Sequence, residues 1–188
     1  MWHISHKSGT RLFTTKDKFT ALNRAQYERR VTEMNELKVH LCRTSAKMPT
    51  YATQGSACFD LYAAIDKPYF CCVCEPVTIP TGLKFDIPEG YALMIYSRSG
   101  HGFKSNVRLS NCVGVIDSDY VDEVMVKLSQ DVYQFKGDNW EPEAFLVNPG
   151  DRIAQGMLIP VQRTQFVELN EPPRHKGERK GGFGSTGS

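Results

Sequence analysis

The chain of 188 residues lacks any run of about 18 apolar residues, so it predicts no membrane-spanning helix. Its first residues, MWHISHKSGTR, also lack the apolar stretch and the small-residue cleavage site of a signal peptide. Both absences argue against membrane and secreted proteins. We therefore expect a soluble protein of the cytoplasm, or of the host-cell cytoplasm if the chain is viral.

A strong charge imbalance is missing as well, because the net charge is only +2 at pH 7. A charge this small does not favour nucleic-acid binding by bulk electrostatics, and we predict no stable binding of DNA or RNA. Basic residues do gather at residues 16–30 and 174–180. The first run is typical of the solvated face of a helix. The second lies beside a glycine cluster and could meet an anion.

The six cysteines lack the spacing of a metal site, and without a secretory signal we expect them to be reduced rather than paired in disulfides. Three of them lie close together in the run Cys71-Cys72-Val73-Cys74. However, neighbouring residues of a strand point to opposite faces, and neither a second CxxC pair nor a nearby histidine completes a tetrahedral set. The pattern favours buried strand cysteines in a reducing compartment.

Alternation of strands and helices is absent too, which argues against a Rossmann arrangement. From residue 37 the chain instead reads as short strands separated by Gly, Pro, Asn and Asp. The strand candidates are residues 38–41, 83–87, 91–96, 123–128 and 152–159. Many short strands with frequent turns predict an all-β fold, either a barrel or a jelly roll.

The length and ordinary composition suit one domain with appendages. We predict a polar N-terminal extension with one helix at 1–36, a β domain at 37–170 and a flexible glycine-rich arm at 171–188. Residues 129–146 have few regular features, and we interpret them as a long hairpin connection or an insertion.

The segment NCVGVIDSDY, residues 111–120, contains two aspartates around a serine, which is typical of a tight hairpin. The apolar residues before Asp117 place its carboxylate at a strand end beside the core. A carboxylate held there can act as a general base. From residue chemistry alone, a turn former and a catalytic base fit Asp117 equally well.

Two further segments carry groups that bind phosphate. Residues 96–102, YSRSGHG, offer a guanidinium, hydroxyls and glycine amides, although a plain surface turn fits the glycines as well. Residues 150–155, GDRIAQ, follow a Pro-Gly turn. There Arg152 could pair with a carboxylate in the core, and Gln155 could reach a ligand.

The tail GGFGSTG, residues 181–187, isolates one aromatic side chain among glycines. Phe183 could stack on a planar ligand while Ser185, Thr186 and nearby amides bind anionic oxygens. A disordered tail is the alternative, but it gives no reason for that phenylalanine.

Five segments in this order resemble the five motifs of the trimeric dUTP pyrophosphatases, or dUTPases. They are GSACFDLYA, YSRSG, NCVGVIDSDY, GDRIAQ and GGFGSTG. The resemblance spans about residues 38–187. It implies homotrimers of jelly-roll-like subunits of the dUTPase-like β-clip type, with active sites shared between chains. It also implies hydrolysis of dUTP to dUMP and pyrophosphate, with Mg²⁺ held through phosphates and water rather than by direct protein ligands. That reaction keeps uracil out of DNA and supplies dUMP for thymidylate synthesis.

The resemblance also assigns residues. Asp117 matches the base that deprotonates the attacking water. The phosphate contacts are Arg98, Ser99, Gly100, Gln155, Arg179, Ser185 and Thr186. The uracil and deoxyribose contacts are Asn111, Gly114, Ile116, Tyr120 and Phe183. Asp60 and Arg152 are expected to give structural support.

Several positions depart from the family pattern. Ser97 stands where proline is common, the run 101–103 replaces small apolar residues, and Asp122 replaces a glycine. Arg179 lies one residue closer to the double glycine than the family's arginine, so its reach to the γ-phosphate is open. Two alternatives remain: a dCTP deaminase of related fold, and a nucleotide-gated regulator that binds a protein partner through residues 1–36 or 129–146.

Overall fold

The computed structural model describes residues 36–132, 134–135, 142–174 and 177. The helix predicted within the N-terminal extension and the tail motif GGFGSTG lie outside the described residues. The domain boundaries at residues 36/37 and 170/171 stay predictions. Within the described part of the chain, no helix is long and apolar enough to cross a membrane.

Strands dominate the described residues, which confirms the mostly β character. The elements in chain order are β1 (Lys38–Leu41), β2 (Thr50–Tyr51), β3 (Phe59–Tyr62), β4 (Tyr69–Cys71), β5 (Val77–Pro80), β6 (Leu83–Asp86), β7 (Tyr91–Tyr96), α1 (Ser99–Ser105), β8 (Val107–Leu109), β9 (Val113–Ile116), β10 (Met125–Gln130), β11 (Gln134–Phe135), β12 (Pro142–Glu143), β13 (Phe145–Val147) and β14 (Arg152–Pro160).

The strands of the described residues form five antiparallel sheets rather than one closed sheet. The largest has the order β2-β3-β14-β7-β9, and a three-stranded sheet has the order β5-β10-β8. The pairs β1-β6, β11-β12 and β4-β13 complete the set. No closed ring of hydrogen-bonded strands forms among the described residues, so the barrel form of the prediction is wrong. The short strands and their separate partners explain this, because closure needs a continuous register around the ring.

One core joins the two larger sheets. Strand β10 alternates exposed and buried residues along most of its length, as expected for a strand with one face on a core. Its Val126 and Leu128 are buried together with Leu61 and Leu93 of the five-stranded sheet. The two sheets therefore pack like the layers of a sandwich, and the loops at their ends carry the polar groups.

The predicted strand at 123–128 begins two residues late, at Met125. The preceding Val124 is buried but pairs irregularly: its N–H donates to Leu83 O over 2.9 Å, and its carbonyl accepts from Thr81 N over 3.3 Å. The insertion predicted at 129–146 contains the short β11-β12 hairpin.

The cysteine run behaves only partly as predicted. Cys71 ends β4 and is fully buried, with its Sγ donating to Leu128 O over 3.3 Å. Burial raises the pKa of the Cys71 thiol. Cys72 pairs with Glu75 in an isolated bridge, and Cys74 is exposed, so the strand interpretation is confirmed for Cys71 alone.

Candidate active site

A buried carboxylate holds two arginines beside the inner strands of the five-stranded sheet. Asp60 lies on β3 opposite Gln155 of β14. Its Oδ1 accepts from Arg98 Nε over 3.2 Å, and its Oδ2 accepts from Arg152 Nη1 over 3.3 Å. Only 12% of the Asp60 side chain is exposed. The pairing predicted for Arg152 is therefore confirmed, and Asp60 is its partner.

These three residues line a pocket that contains every described residue predicted to contact phosphate. The lining residues are Ala52, Ser56, Ala57, Cys58, Asp60, Arg98, Ser99, Gly100, Arg152 and Gln155. Two guanidiniums share one carboxylate, so the cluster keeps a net positive charge. Guanidinium donors, a serine hydroxyl and glycine backbone suit a phosphate chain.

The segment after Arg98 is a short helix, α1, where only a turn was predicted. Ser97 connects this helix to the sheets. Its Oγ accepts from Leu109 N over 2.9 Å, and its carbonyl accepts from Gln155 Nε2 over 2.9 Å. A proline at this position has no hydroxyl, so the serine adds an anchor to β8.

His101 is a site residue that sequence reasoning missed. Its Nε2 lies 3.3 Å from Arg98 Nη1, and its ring packs on Phe145 of β13 with centroids 5.0 Å apart. Burial lowers the pKa of His101, and the positive charge of Arg98 lowers it further. The only signal in the sequence was its departure from the small apolar residues of the family pattern.

A second pocket lies between β9 and β10, which belong to different sheets, around the residues predicted to receive uracil. Its lining residues are Ile95, Leu109, Ser110, Asn111, Gly114, Val115, Ile116, Met125, Val126 and Lys127. Asn111, Gly114 and Ile116 are thus brought together as predicted. Gly114 packs closely on β7, because an added Cβ would lie 3.0 Å from Ile95 Cβ, tighter than most Cβ contacts.

The turn before β9 is held in an unusual conformation. Cys112 has a φ of 65°, a left-handed value that non-glycine residues rarely adopt. Val113 N donates to Asn111 O over 2.7 Å across this turn. Arg108 donates from Nη1 to Leu109 O over 2.9 Å, and its Nε binds the Asp131 carboxylate over 2.9 Å. Strained backbone of this kind often marks binding sites, and no residue type in the sequence indicated it.

Asp117 directly follows β9 and is exposed. No described residue forms a hydrogen bond or ion pair with its carboxylate. It lines a pocket with Glu89, Gly90, Tyr91, Ala92, Ser118, Asp119, Val161 and Arg163. Its carbonyl accepts from Tyr120 N over 3.2 Å, so turn chemistry is present at the same residue.

The tight hairpin predicted around Asp117 is wrong. Strand β9 pairs with β7, whereas the following β10 pairs with β5 and β8. The residues between β9 and β10 therefore connect two sheets. Because this connection crosses from one layer to the other, its side chains are free to face solvent rather than a partner strand.

Tyr120 lies in that connection and is 40% exposed. Its hydroxyl donates to Glu123 O over 3.0 Å. The Glu123 carboxylate in turn accepts from Arg43 Nε over 2.6 Å and from Gly82 N over 2.8 Å. The hydrogen bond from Arg43 lowers the pKa of Glu123. These contacts hold the connection against the β1 and β6 side of the molecule.

Strand β7 separates Asp117 from the arginine pocket. Ile116 pairs with Leu93 of β7, so Asp117 is level with the start of that strand. Arg98 follows the other end, six residues along from the partner position of Asp117. Six extended residues span about 20 Å. The candidate base and the arginine pocket of one chain therefore lie at opposite ends of β7.

Comparison with known proteins identifies the family. The family model described as dUTPase matches residues 44–187 of this chain. The chain belongs to the dUTPase family. A deoxyuridine 5′-triphosphate nucleotidohydrolase of Burkholderia cenocepacia (strain HI2424) is 40% identical over 154 residues, which cover 81% of this chain and 97% of that relative. The enzyme of the same name from Anaplasma marginale (strain St. Maries) is 37% identical over 157 residues, which cover 81% of this chain and 99% of that relative.

Solved dUTPases share the fold. The Staphylococcus bacteriophage 80alpha dUTPase with dUPNHPP has a TM-score of 0.67 and 25% identity, over 82% of this chain and all of that chain. A variant of the dUTPase from phage phi11 of S. aureus, which coordinates a structural Mg(II) ion, has a TM-score of 0.62 and 23% identity, over 73% of this chain and 98% of that chain.

The remaining residues predicted for this dUTPase site belong to its tail. Arg179, Phe183, Ser185 and Thr186 all lie outside the described residues, so their roles stay predictions. In the described part of the chain, no group of three or more His, Cys, Asp or Glu side chains could hold a metal ion.

Proposed function

We propose that this dUTPase hydrolyses dUTP to dUMP and pyrophosphate, with Asp117 activating the water. The observation that carries the proposal is the exposed Asp117 carboxylate at the end of β9 in a chain of this family. A general base needs free lone pairs within reach of water. The turn and the base, which residue chemistry left equal, are compatible because the turn uses the backbone of Asp117 and leaves its side chain available.

The reaction is an in-line displacement at the α-phosphorus. Asp117 takes one proton from the water, whose oxygen forms a bond to the α-phosphorus. The bond from that phosphorus to the bridging oxygen breaks, and pyrophosphate leaves with the electron pair. When bound, Mg²⁺ supplies a positive charge that phosphate oxygens share, which eases the build-up of negative charge.

Recognition of the nucleotide divides between the two other pockets. We assign uracil to Asn111, Gly114 and Ile116, where the strained turn presents backbone groups to the base. Tyr120 lies under deoxyribose and leaves no room for a 2′-hydroxyl. The phosphates go to the arginine pocket, because its guanidiniums match phosphate oxygens. There Ser99, Gly100 and Gln155 are expected to contribute further contacts.

A complete site requires two copies of the chain. The separation of about 20 Å along β7 is longer than the phosphate chain of a nucleotide, so Asp117 and Arg98 of one copy cannot serve one substrate. The C-terminal segment gives independent support. Phe166 is 94% exposed and Val167 is 73% exposed, which is costly for a monomer. We therefore propose the homotrimer of the family, in which another copy covers this segment.

The tail completes the proposal as a closing arm. Phe183 is expected to stack on uracil, and Ser185 and Thr186 to contact phosphate. Arg179 is expected to approach the γ-phosphate despite its shifted position. A protein partner at residues 1–36 or 129–146 stays a prediction, since most of those residues lie outside the described part.

A pyrophosphate-release assay with dUTP, dCTP, dTTP and UTP in the presence of Mg²⁺ tests the function. We expect release from dUTP far above the other three, because the uracil pocket and Tyr120 select both base and sugar. Ammonia release from dCTP without pyrophosphate release from dUTP would replace this proposal with the deaminase. Light scattering on the same sample measures the oligomer, and an active monomer would overturn the shared site.

A further inference from the structure

His101 occupies a position from which it controls Arg98. It lies in the first turn of α1, three residues after Arg98, which is the N-cap residue of that helix. Its Nε2 is 3.3 Å from Arg98 Nη1, and its ring rests on Phe145. Arg98 is held at a second point by Asp60, through Nε. Arg98 Nη1 also donates to Arg152 O over 3.4 Å, so the guanidinium has three acceptors around it.

The hydrogen-bond chemistry determines the state of the ring. A guanidinium has donors and no acceptor, so Nε2 of His101 must accept from Arg98. The ring proton then lies on Nδ1, and the imidazole is neutral. Nδ1 is buried and has no hydrogen-bond partner among the described residues. The ring is thus held by the Arg98 contact and by packing on Phe145.

The charges around the ring favour the neutral form. Burial and the nearby Arg98 lower the pKa of His101 below its ordinary value of 6.5, Asp151 opposes them, and Arg152 adds to the lowering. Asp60 faces the cluster too, but both of its oxygens are occupied by the arginines. Protonation would therefore turn an acceptor facing Arg98 into a second cation.

We propose that His101 is a positioning residue, whose neutral imidazole aligns Arg98 for the phosphate chain and whose protonation releases that alignment. The inference rests on the proposed function in one respect, namely that Arg98 meets the phosphates. In this proposal His101 does not touch the substrate, but it sets the position of Arg98, which does. It also gives phosphate binding a dependence on pH that the family's small apolar residues at this position cannot provide.

Two substitutions separate alignment from packing. His101→Phe keeps a ring against Phe145 but removes the acceptor. His101→Gln supplies an amide oxygen at about the reach of Nε2 and cannot titrate. Phe103→Ala is the matched control, because Phe103 lies on the same helix with 92% exposure and forms no part of the site.

The measurement is calorimetric binding of inorganic tripolyphosphate to the full chain at about pH 8 and at the lowest pH at which every variant stays folded. At the higher pH we expect His101→Phe to weaken binding on the order of tenfold, since it loses a hydrogen bond to a charged group, and His101→Gln to recover most of that loss. From the higher to the lower pH, wild-type affinity is expected to fall several-fold more than that of His101→Gln. Phe103→Ala should follow the wild type.

Equal affinities of the Phe and Gln variants at both pH values would overturn the inference and leave His101 as packing. A shared pH dependence of the wild type and His101→Gln would do the same. Because tripolyphosphate carries no base or sugar, this outcome is distinct from failure of dUTP hydrolysis, which the pyrophosphate-release assay detects. Thermal unfolding of each variant checks that a loss of affinity does not follow from a loss of fold.

Discussion

Two aspartates at opposite ends of β7 have opposite environments. Asp60 is buried, and each of its oxygens accepts from a different arginine. Asp117 is exposed, and no described residue binds its carboxylate. The same functional group therefore organises cations in one region and remains available in the other. What differs is the set of partners that the strands place around each carboxylate.

This difference separates binding from chemistry. A carboxylate that already accepts from two guanidiniums has few lone pairs left to take a proton from water. A carboxylate without partners can do so, but it cannot hold an arginine in place. The comparison predicts that the two aspartates fail in different ways when each is changed to asparagine, and the experiments below test this from the largest effect to the smallest.

Asp117→Asn is expected to lower the rate of pyrophosphate release from dUTP about a thousandfold, because an amide cannot accept the proton of water. Binding of a non-hydrolysable dUTP analogue and the melting temperature should stay near wild-type values. Steady-state kinetics, calorimetry and thermal unfolding measure the three quantities.

Asp119→Asn is the control for this change, since Asp119 lines the same pocket two residues away. It should cost much less activity than Asp117→Asn. Turnover near the wild-type rate in the Asp117 variant would show that Asp117 is not the base. The proposed contrast between a structural Asp60 and a catalytic Asp117 would then fail.

Asp60→Asn is expected to lower the free energy of unfolding by about 2 to 3 kcal/mol, because it leaves two neighbouring arginines without their shared counter-charge. Phosphate affinity should fall with it. Chemical denaturation gives the first quantity, and tripolyphosphate calorimetry gives the second.

The surface pair Arg108–Asp131 offers a matched control, because its side chains are 40% and 46% exposed. Asp131→Asn should cost less than about 1 kcal/mol. If Asp60→Asn and Asp131→Asn lower the free energy of unfolding equally, burial of the Asp60 carboxylate does not strengthen its contribution to stability. The structural role given to Asp60 would then be wrong.

Glu123 provides an intermediate case, since 18% of its side chain is exposed and it binds the exposed Arg43. Arg43 lowers the pKa of Glu123 from 4.5, so the contact stabilises the fold above that value and is lost as pH falls through the lowered pKa. Glu123→Gln should therefore cost about 1 kcal/mol or less at neutral pH, with the loss limited by solvent screening.

As pH falls below the lowered pKa of Glu123, the wild type and Glu123→Gln should converge in unfolding free energy, as both then carry an uncharged group. Denaturant titrations across that range measure the difference. A gap that stays constant with pH would mean that packing, and not the ion pair with Arg43, holds this connection.

Local patterns in the sequence predicted much of this molecule. The strand at residues 91–96 was predicted with the observed limits, because its apolar residues are bounded by a Pro-Glu-Gly turn and polar residues. Four phosphate contacts could be named from motif order and lie together in the arginine pocket: Arg98, Ser99, Gly100 and Gln155. The first prediction depends on the residues next to the strand, and the second depends on short motifs that can each be recognised in the sequence.

Features that depend on distant partners were missed. Nothing near Asp117 indicates that β9 pairs back to β7 while β10 joins another sheet. Cys112 adopts a left-handed backbone conformation, but it is not a glycine, so the residue type did not indicate that conformation. His101 acquires its environment from Phe145, more than forty residues away in the chain. Strand pairing is decided by the whole core, so a local pattern cannot assign it.

The length of β7 has a genetic consequence. If each site takes Asp117 from one copy and Arg98 from another, a chain defective in the first residue and a chain defective in the second can complement each other. If the two kinds of chain assemble at random, about one quarter of the sites would combine an intact Asp117 with an intact Arg98. A cell with both defective alleles would retain hydrolysis that neither allele supports alone.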